Sequence, residues 1–217
     1  GTITTGNFVA EDCIFNGELN ANNVTVTNLN SSTGSVNINL SGDFTNNGGT
    51  VKINKLTLLD SSTLTGDLTI GEFIATQSLM TNPDEAKTLT ITNNLIVDSM
   101  KISGQKDENK ITIANSGKIQ YSTYGSFNVG QYIKFTGENP KIANGTGLVA
   151  KVEYVNALPD GWEEINTEYI WKGNISDKWE TDNNWEFGEA PLADEDAVVI
   201  IPSENITTFP ILSETTK

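Results

Sequence analysis

The sequence predicts an all-β protein: a parallel β-helix (β-solenoid) with irregular coils, followed by a small Trp-rich C-terminal β module. Three observations predict it. Short alternating apolar runs recur from about Val24 to Phe135, Thr, Asn and Gly separate them, and all four tryptophans lie beyond residue 160. Alternation with period two sends successive side chains to opposite faces of a strand. Threonine favours strands, whereas asparagine and glycine favour the turns between them.

The runs are "NVTVTNL", "SVNINLSGDF", "TVKINKLTLLD", "STLTGDLTIG", "TLTITNNLIV", "NKITIANSGKIQY" and "SFNVGQYIKF". Each is too short to bury its own apolar face, so the units must stack with Val, Ile and Leu inward and Thr, Asn and Ser outward. A buried aliphatic side chain contributes about 1.5–3 kcal/mol, so stability accumulates coil by coil. The spacing is uneven: Val24 to Val36 is 12 residues, Val36 to Val51 is 15, and Leu68 to Leu89 is 21. That irregularity excludes a strict-period array and fits a β-helix with turns of different length. Pro83, Asp84 and Glu85 in "TQSLMTNPDEAK" predict a loop leaving the wall, and residues 103–110 predict a second.

Residues 1–155 are therefore assigned to the solenoid, 156–168 to a linker or turn around Pro159-Asp160-Gly161, and 169–217 to the Trp-rich module. Charge shifts at the same place. Residues 1–150 hold 13 acids and 9 lysines, against 15 acids and 4 lysines in 151–217.

The net charge is −15, every basic residue is Lys, and there is no His or Arg. A nucleic-acid partner needs a basic footprint, which this chain lacks. Without His there is no Ser-His or Cys-His nucleophile system and no imidazole ligand. Cys13 stands alone, so it forms no intrachain disulfide and is expected to act as a small buried hydrophobe. No apolar run is long enough for a spanning helix, and membrane insertion is not expected. The chain opens directly on strand-like sequence without a visible signal peptide, as expected of a mature or excised part of a longer chain.

Trp171, Trp179 and Trp185 are the candidate ligand-binding residues, because exposed rings could stack on sugars. The blander expectation is that they form a compact core capping or joining solenoid segments, since a small module without disulfides depends on aromatic burial. Turn sequences between them predict that the rings converge from successive short segments. Next comes "AVVIIP", whose continuous apolar run predicts a strand covered on both faces. Asp177, Asp182, Asp194 and Asp196, with Asn183 and Asn184 nearby, supply hard oxygen ligands that suit calcium, although no EF-hand spacing is present. No other cofactor is expected. Asp43, Asp60 and Asp67 occupy similar turn positions. They could align as hydrolase carboxylates, but such residues more often accept turn N–H bonds. Six N-x-[ST] sequons, at Asn23, Asn30, Asn39, Asn144, Asn174 and Asn205, are expected by chance in so Asn- and Thr-rich a chain.

Trp171-x-Gly173, Ser176-Asp177-x-Trp179, Asn184-Trp185, Gly188, Pro191, then "AVVIIP" and "FPIL", together resemble a segment of large secreted surface proteins of Bacteroidetes. The stretch "LSGDFTNNGGTVKI" is similar to the coils of those proteins, and "DSM" at Asp98 resembles their short O-glycosylation signal. The resemblance implies a non-catalytic, extracellular or outer-surface structural or adhesive segment of a larger bacterial protein, with an unspecified target that could be a glycan. The alternative is a carbohydrate-binding or polysaccharide-degrading β-helix module.

Overall fold

The computed structural model describes residues 1–30, 36–136, 141–150, 152–154, 158, 160–164, 169–186, 190–191, 199–204 and 206–211. The chain divides into two compact units, Gly1–Ile165 and Asn166–Lys217. The first is a parallel β-solenoid of about seven turns. Its strands begin with β1 (Thr2–Ile14), β2 (Gly17–Asn30), β3 (Val36–Leu40), β4 (Phe44–Asn46), β5 (Lys52–Leu58), β6 (Ser62–Thr65) and β7 (Leu68–Thr76). They continue with β8 (Lys87–Ile91), β9 (Leu95–Ser103), β10 (Ile111–Asn115), β11 (Lys118–Gln131), β12 (Ile133–Phe135), β13 (Lys141–Ala150), β14 (Glu153–Tyr154) and β15 (Trp162–Glu164).

The register resolves three parallel ladders. In the first, Leu19 lies opposite Ile38, Ile38 opposite Leu56, Leu56 opposite Phe73, and Phe73 opposite Met100. In the second, Phe8, Val24, Phe44, Leu64 and Ile91 succeed one another. In the third, Leu68, Leu95, Ile119 and Ile142 do so. Apart from half-buried Phe8, every one of these side chains is buried, and together they form one continuous core. Each coil contributes a short strip to each ladder, so no coil needs a core of its own.

This arrangement explains the uneven spacing. Val24 belongs to the second ladder and Val36 to the first, so the 12 residues between them are not a repeat. True partners lie farther apart: Thr2 faces Glu18 after 16 residues, Phe44 faces Leu64 after 20, and Glu72 faces Ser99 after 27. The longest coil holds the loop around Pro83. Buried Gln77 anchors it, donating through Nε2 to the carbonyls of Pro83 and Glu85 while its Oε1 accepts the Gln105 N–H from the second loop.

The expected linker 156–168 requires correction. Trp162–Glu164 is β15, paired in parallel with β13, and Trp162 is buried with its ring 4.8 Å from that of Phe135. Gly161 enters this strand at φ +85°, and a Cβ there would lie 2.5 Å from the Ile142 carbonyl oxygen. A large apolar side chain after a glycine turn therefore finishes the solenoid core. Cys13 is a free thiol, half-buried against that core.

The second unit contains β16 (Tyr169–Ile170) and β17 (Val199–Ile200), which pair in parallel. The strand expected at Ala197–Ile201 differs in burial from its prediction. Val199 is half-buried, but Ile200 and Ile201 are exposed, because among the described residues β17 pairs with β16 alone and packs through Val199. Residues 197–198 lie outside the described residues.

Candidate functional site

The tryptophan module is built around a pair of indoles. Trp171 and Trp185 face each other across an antiparallel bridge, both buried, with ring centroids 5.0 Å apart and planes at 81°. Trp179 comes from the turn between them and meets Trp185 at 4.7 Å and 76°. Tyr169 adds a further edge contact to Trp185 at 6.0 Å. Edge-to-face packing of this kind suits the quadrupoles of the rings. Short segments separated by turns do bring the rings together.

Within the module the N–H groups of both buried indoles are satisfied by backbone. Trp171 Nε1 donates to the Thr208 carbonyl at 2.6 Å and Trp185 Nε1 to that of Trp179 at 2.9 Å. Gly173 explains the Trp-x-Gly spacing. It sits at φ +58°, and a Cβ there would come within 2.1 Å of the same Thr208 oxygen and 2.6 Å of Trp171 Nε1. Only glycine leaves room for that carbonyl to reach the indole.

Asn184 is fully buried and ties the turn together. Its Oδ1 accepts the N–H groups of Ile175 and Ser176, while its Nδ2 donates to Ser176 Oγ and the Lys178 carbonyl, all at 3.0 Å. Both ends of the amide are thus engaged, and its oxygen is committed to backbone rather than held open for a metal. Read as a sequence, Asn184 belongs with the calcium oxygens, and its residue type carries no signal of this structural role.

Trp171 and Trp185 therefore offer no open face for stacking. Trp179 is half-buried. Near it in sequence, Asp177, Lys178 and Glu180 line an open recess of about 460 Å³ with the exposed Ile211. Of the calcium candidates, Asp182 uses Oδ1 to accept the Ala190 N–H at 3.1 Å, and Asp177 accepts the Ile211 N–H through its main-chain carbonyl. Asp194 and Asp196 lie outside the described residues. Among the described residues no three acidic or thiol side chains gather as a metal site.

In the solenoid, the turn carboxylates bind backbone. Asp43 Oδ1 accepts the Thr63 N–H, and Asp67 Oδ1 accepts both the N–H and the side-chain amide of Asn94. Asp60 Oδ1 accepts the Ser61 N–H and pairs with Lys87 Nζ at 2.8 Å. Desolvation alone would raise the Asp60 pKa, but the hydrogen bonds from Lys87 and Ser61 and the Lys87 charge outweigh it, and the pKa is lowered. Burial pushes the Tyr121 hydroxyl up to about 12, with no partner for it among the described residues. These groups serve turns and packing.

The chain matches no protein-family model, no curated protein and no solved structure.

Proposed function

We propose that this chain is a non-catalytic structural or adhesive segment of a larger bacterial surface protein, exported to the outer surface or beyond. The observation that carries the reading is the set of three apolar columns running coil to coil. They make a scaffold whose stability requires no ligand. The carboxylates that could have formed a hydrolase pair are spent on turns, which favours a presenting role over catalysis. The strong negative charge keeps such an exposed surface soluble, and the Trp-x-Gly to Asn-Trp resemblance adds the surface-protein setting.

Antibodies against the chain should label intact cells of the source organism, and protease added outside should remove the signal. Labelling that requires permeabilised cells would overturn the surface assignment.

A glycan target is the second reading, favoured by half-buried Trp179 and the neighbouring recess. Tryptophan emission titrated with a polysaccharide panel, with and without calcium, tests it. A glycan that changes the emission of the native chain but not of Trp179→Ala supports it. Emission that ignores every addition removes it.

A further inference from the structure

The outward side of the second ladder differs from that of the first. Thr25 lies opposite Thr45, and Thr45 opposite Thr65. One position along the same face, Thr63 lies opposite Thr90, and beyond it Thr88 lies opposite Thr112. The alternating residues Val24, Val26, Phe44, Leu64, Leu89 and Ile91 are buried, so these seven threonines point outward. Six are half-buried and Thr88 is exposed, as expected of hydroxyls and methyls shielding one another in an array.

None of these seven hydroxyls forms a hydrogen bond within the chain among the described residues. Elsewhere outward polar groups bond one another from coil to coil: Asn39 Nδ2 donates to Asn20 Oδ1, and Asn54 Nδ2 to Asn37 Oδ1. Thr92, next after Thr65, turns its hydroxyl back to the Leu64 carbonyl and closes the array. The first ladder also carries charge, with Glu18, Asn37, Lys55 and Glu72 in one outward column and an ion pair between Lys55 and Glu72. Within the threonine array Asp43 accepts the Thr63 N–H, and at the array's edge Thr112 lies opposite Lys134, which is ion-paired with Glu153.

Parallel strands repeat about every 4.8 Å, and residues i and i+2 lie about 6.6 Å apart along a strand. The array is therefore a two-dimensional lattice of unsatisfied hydroxyls, each beside a methyl group. Its inter-coil repeat is close to the second-neighbour oxygen spacing of ice. Its bordering charges, Asp43 and the Lys134–Glu153 ion pair, are of both signs and offer a polyelectrolyte no continuous patch, and none of the array positions carries an aromatic ring on which a sugar could stack. Hydroxyls that find no partner in the chain are available to bond water held in register with them.

We propose that the second-ladder face of the solenoid, centred on Thr45, Thr65, Thr63 and Thr90, binds the ordered water lattice of an ice surface. The inference is independent of the surface-protein reading and has its own readout. The test is microscopy of single ice crystals grown in the purified 217-residue chain, alongside Thr65→Lys and the control Asn37→Lys on the first ladder, each checked for native far-UV circular dichroism. The native chain and Asn37→Lys are expected to facet the crystals and hold them against growth below the melting point. Thr65→Lys, folded, is expected to lose both effects. Rounded growth indistinguishable from buffer, or full activity in Thr65→Lys, overturns the proposal. So does retention on insoluble cellulose or chitin without any effect on ice.

Discussion

The two units solve the same problem in opposite ways. The solenoid spreads its apolar core over three long columns, in which each residue is backed by the coil on either side. The tryptophan module concentrates its core in Tyr169, Trp171, Trp185 and Ala190, with Asn184 holding the turn beside them. Redundancy makes the first tolerant of local change. Concentration makes the second depend on two indoles, one amide and one glycine.

The sharpest way to break this comparison is to truncate one buried side chain in each unit. Trp185→Ala deletes the hub on which Tyr169, Trp171 and Trp179 converge and should cost about 3–5 kcal/mol. The near-UV tryptophan signal is expected to collapse while the far-UV β signal persists. Equal loss of both would mean that the module's core is not a separate cooperative unit. In the solenoid, Ile38→Ala should cost about 2–5 kcal/mol. It should be read as faster amide exchange in β2, β3 and β5, with distant coils protected.

Asn184→Ala is expected to follow, at about 1–3 kcal/mol for each buried group it strands, because the N–H groups of Ile175 and Ser176 lose their acceptor. Chemical denaturation followed by tryptophan emission measures it. An unchanged midpoint would show that water replaces the amide.

The smallest effects concern titration. Asp60 has a folded pKa below its ordinary value, so its contribution is complete above about pH 3.9 and is lost as pH falls through the folded value. Asp60→Asn should flatten that acid limb of the stability profile. Tyr121 runs the other way. Its folded pKa is about 12 against about 10 when unfolded, so stability falls as pH rises between them. Tyrosinate absorbance should reveal a late-ionising step, and Tyr121→Phe should abolish it.

Much of the solenoid was legible because period-two alternation reports which side chains face inward regardless of context. Val24, Ile38, Leu56 and Ile70 all lie at apolar positions of alternating runs, and all are buried. The ladder to which each run belongs was not legible, since Val24 and Val36 look alike in sequence while pairing with Phe44 and Gly17. Trp162 was misplaced for a related reason: Pro and Gly beside it signal a turn, not whether the following strand rejoins the sheet. Convergence of the tryptophans could be read from the turns between them, but the role of Asn184 could not. An Asn side chain bonds whatever the fold sets beside it.

By itself, then, the sequence determined the class of fold, the inward face of each short strand, the loops at Pro83 and after Ser103, and the excess of acid over base. Those properties follow from local alternation, turn preference and composition. Tertiary structure alone decided the three-ladder register and the alignment of Thr25, Thr45 and Thr65 on one face. Each requires residues some twenty positions apart to meet, and the coil lengths that bring them together are set by packing across the whole stack.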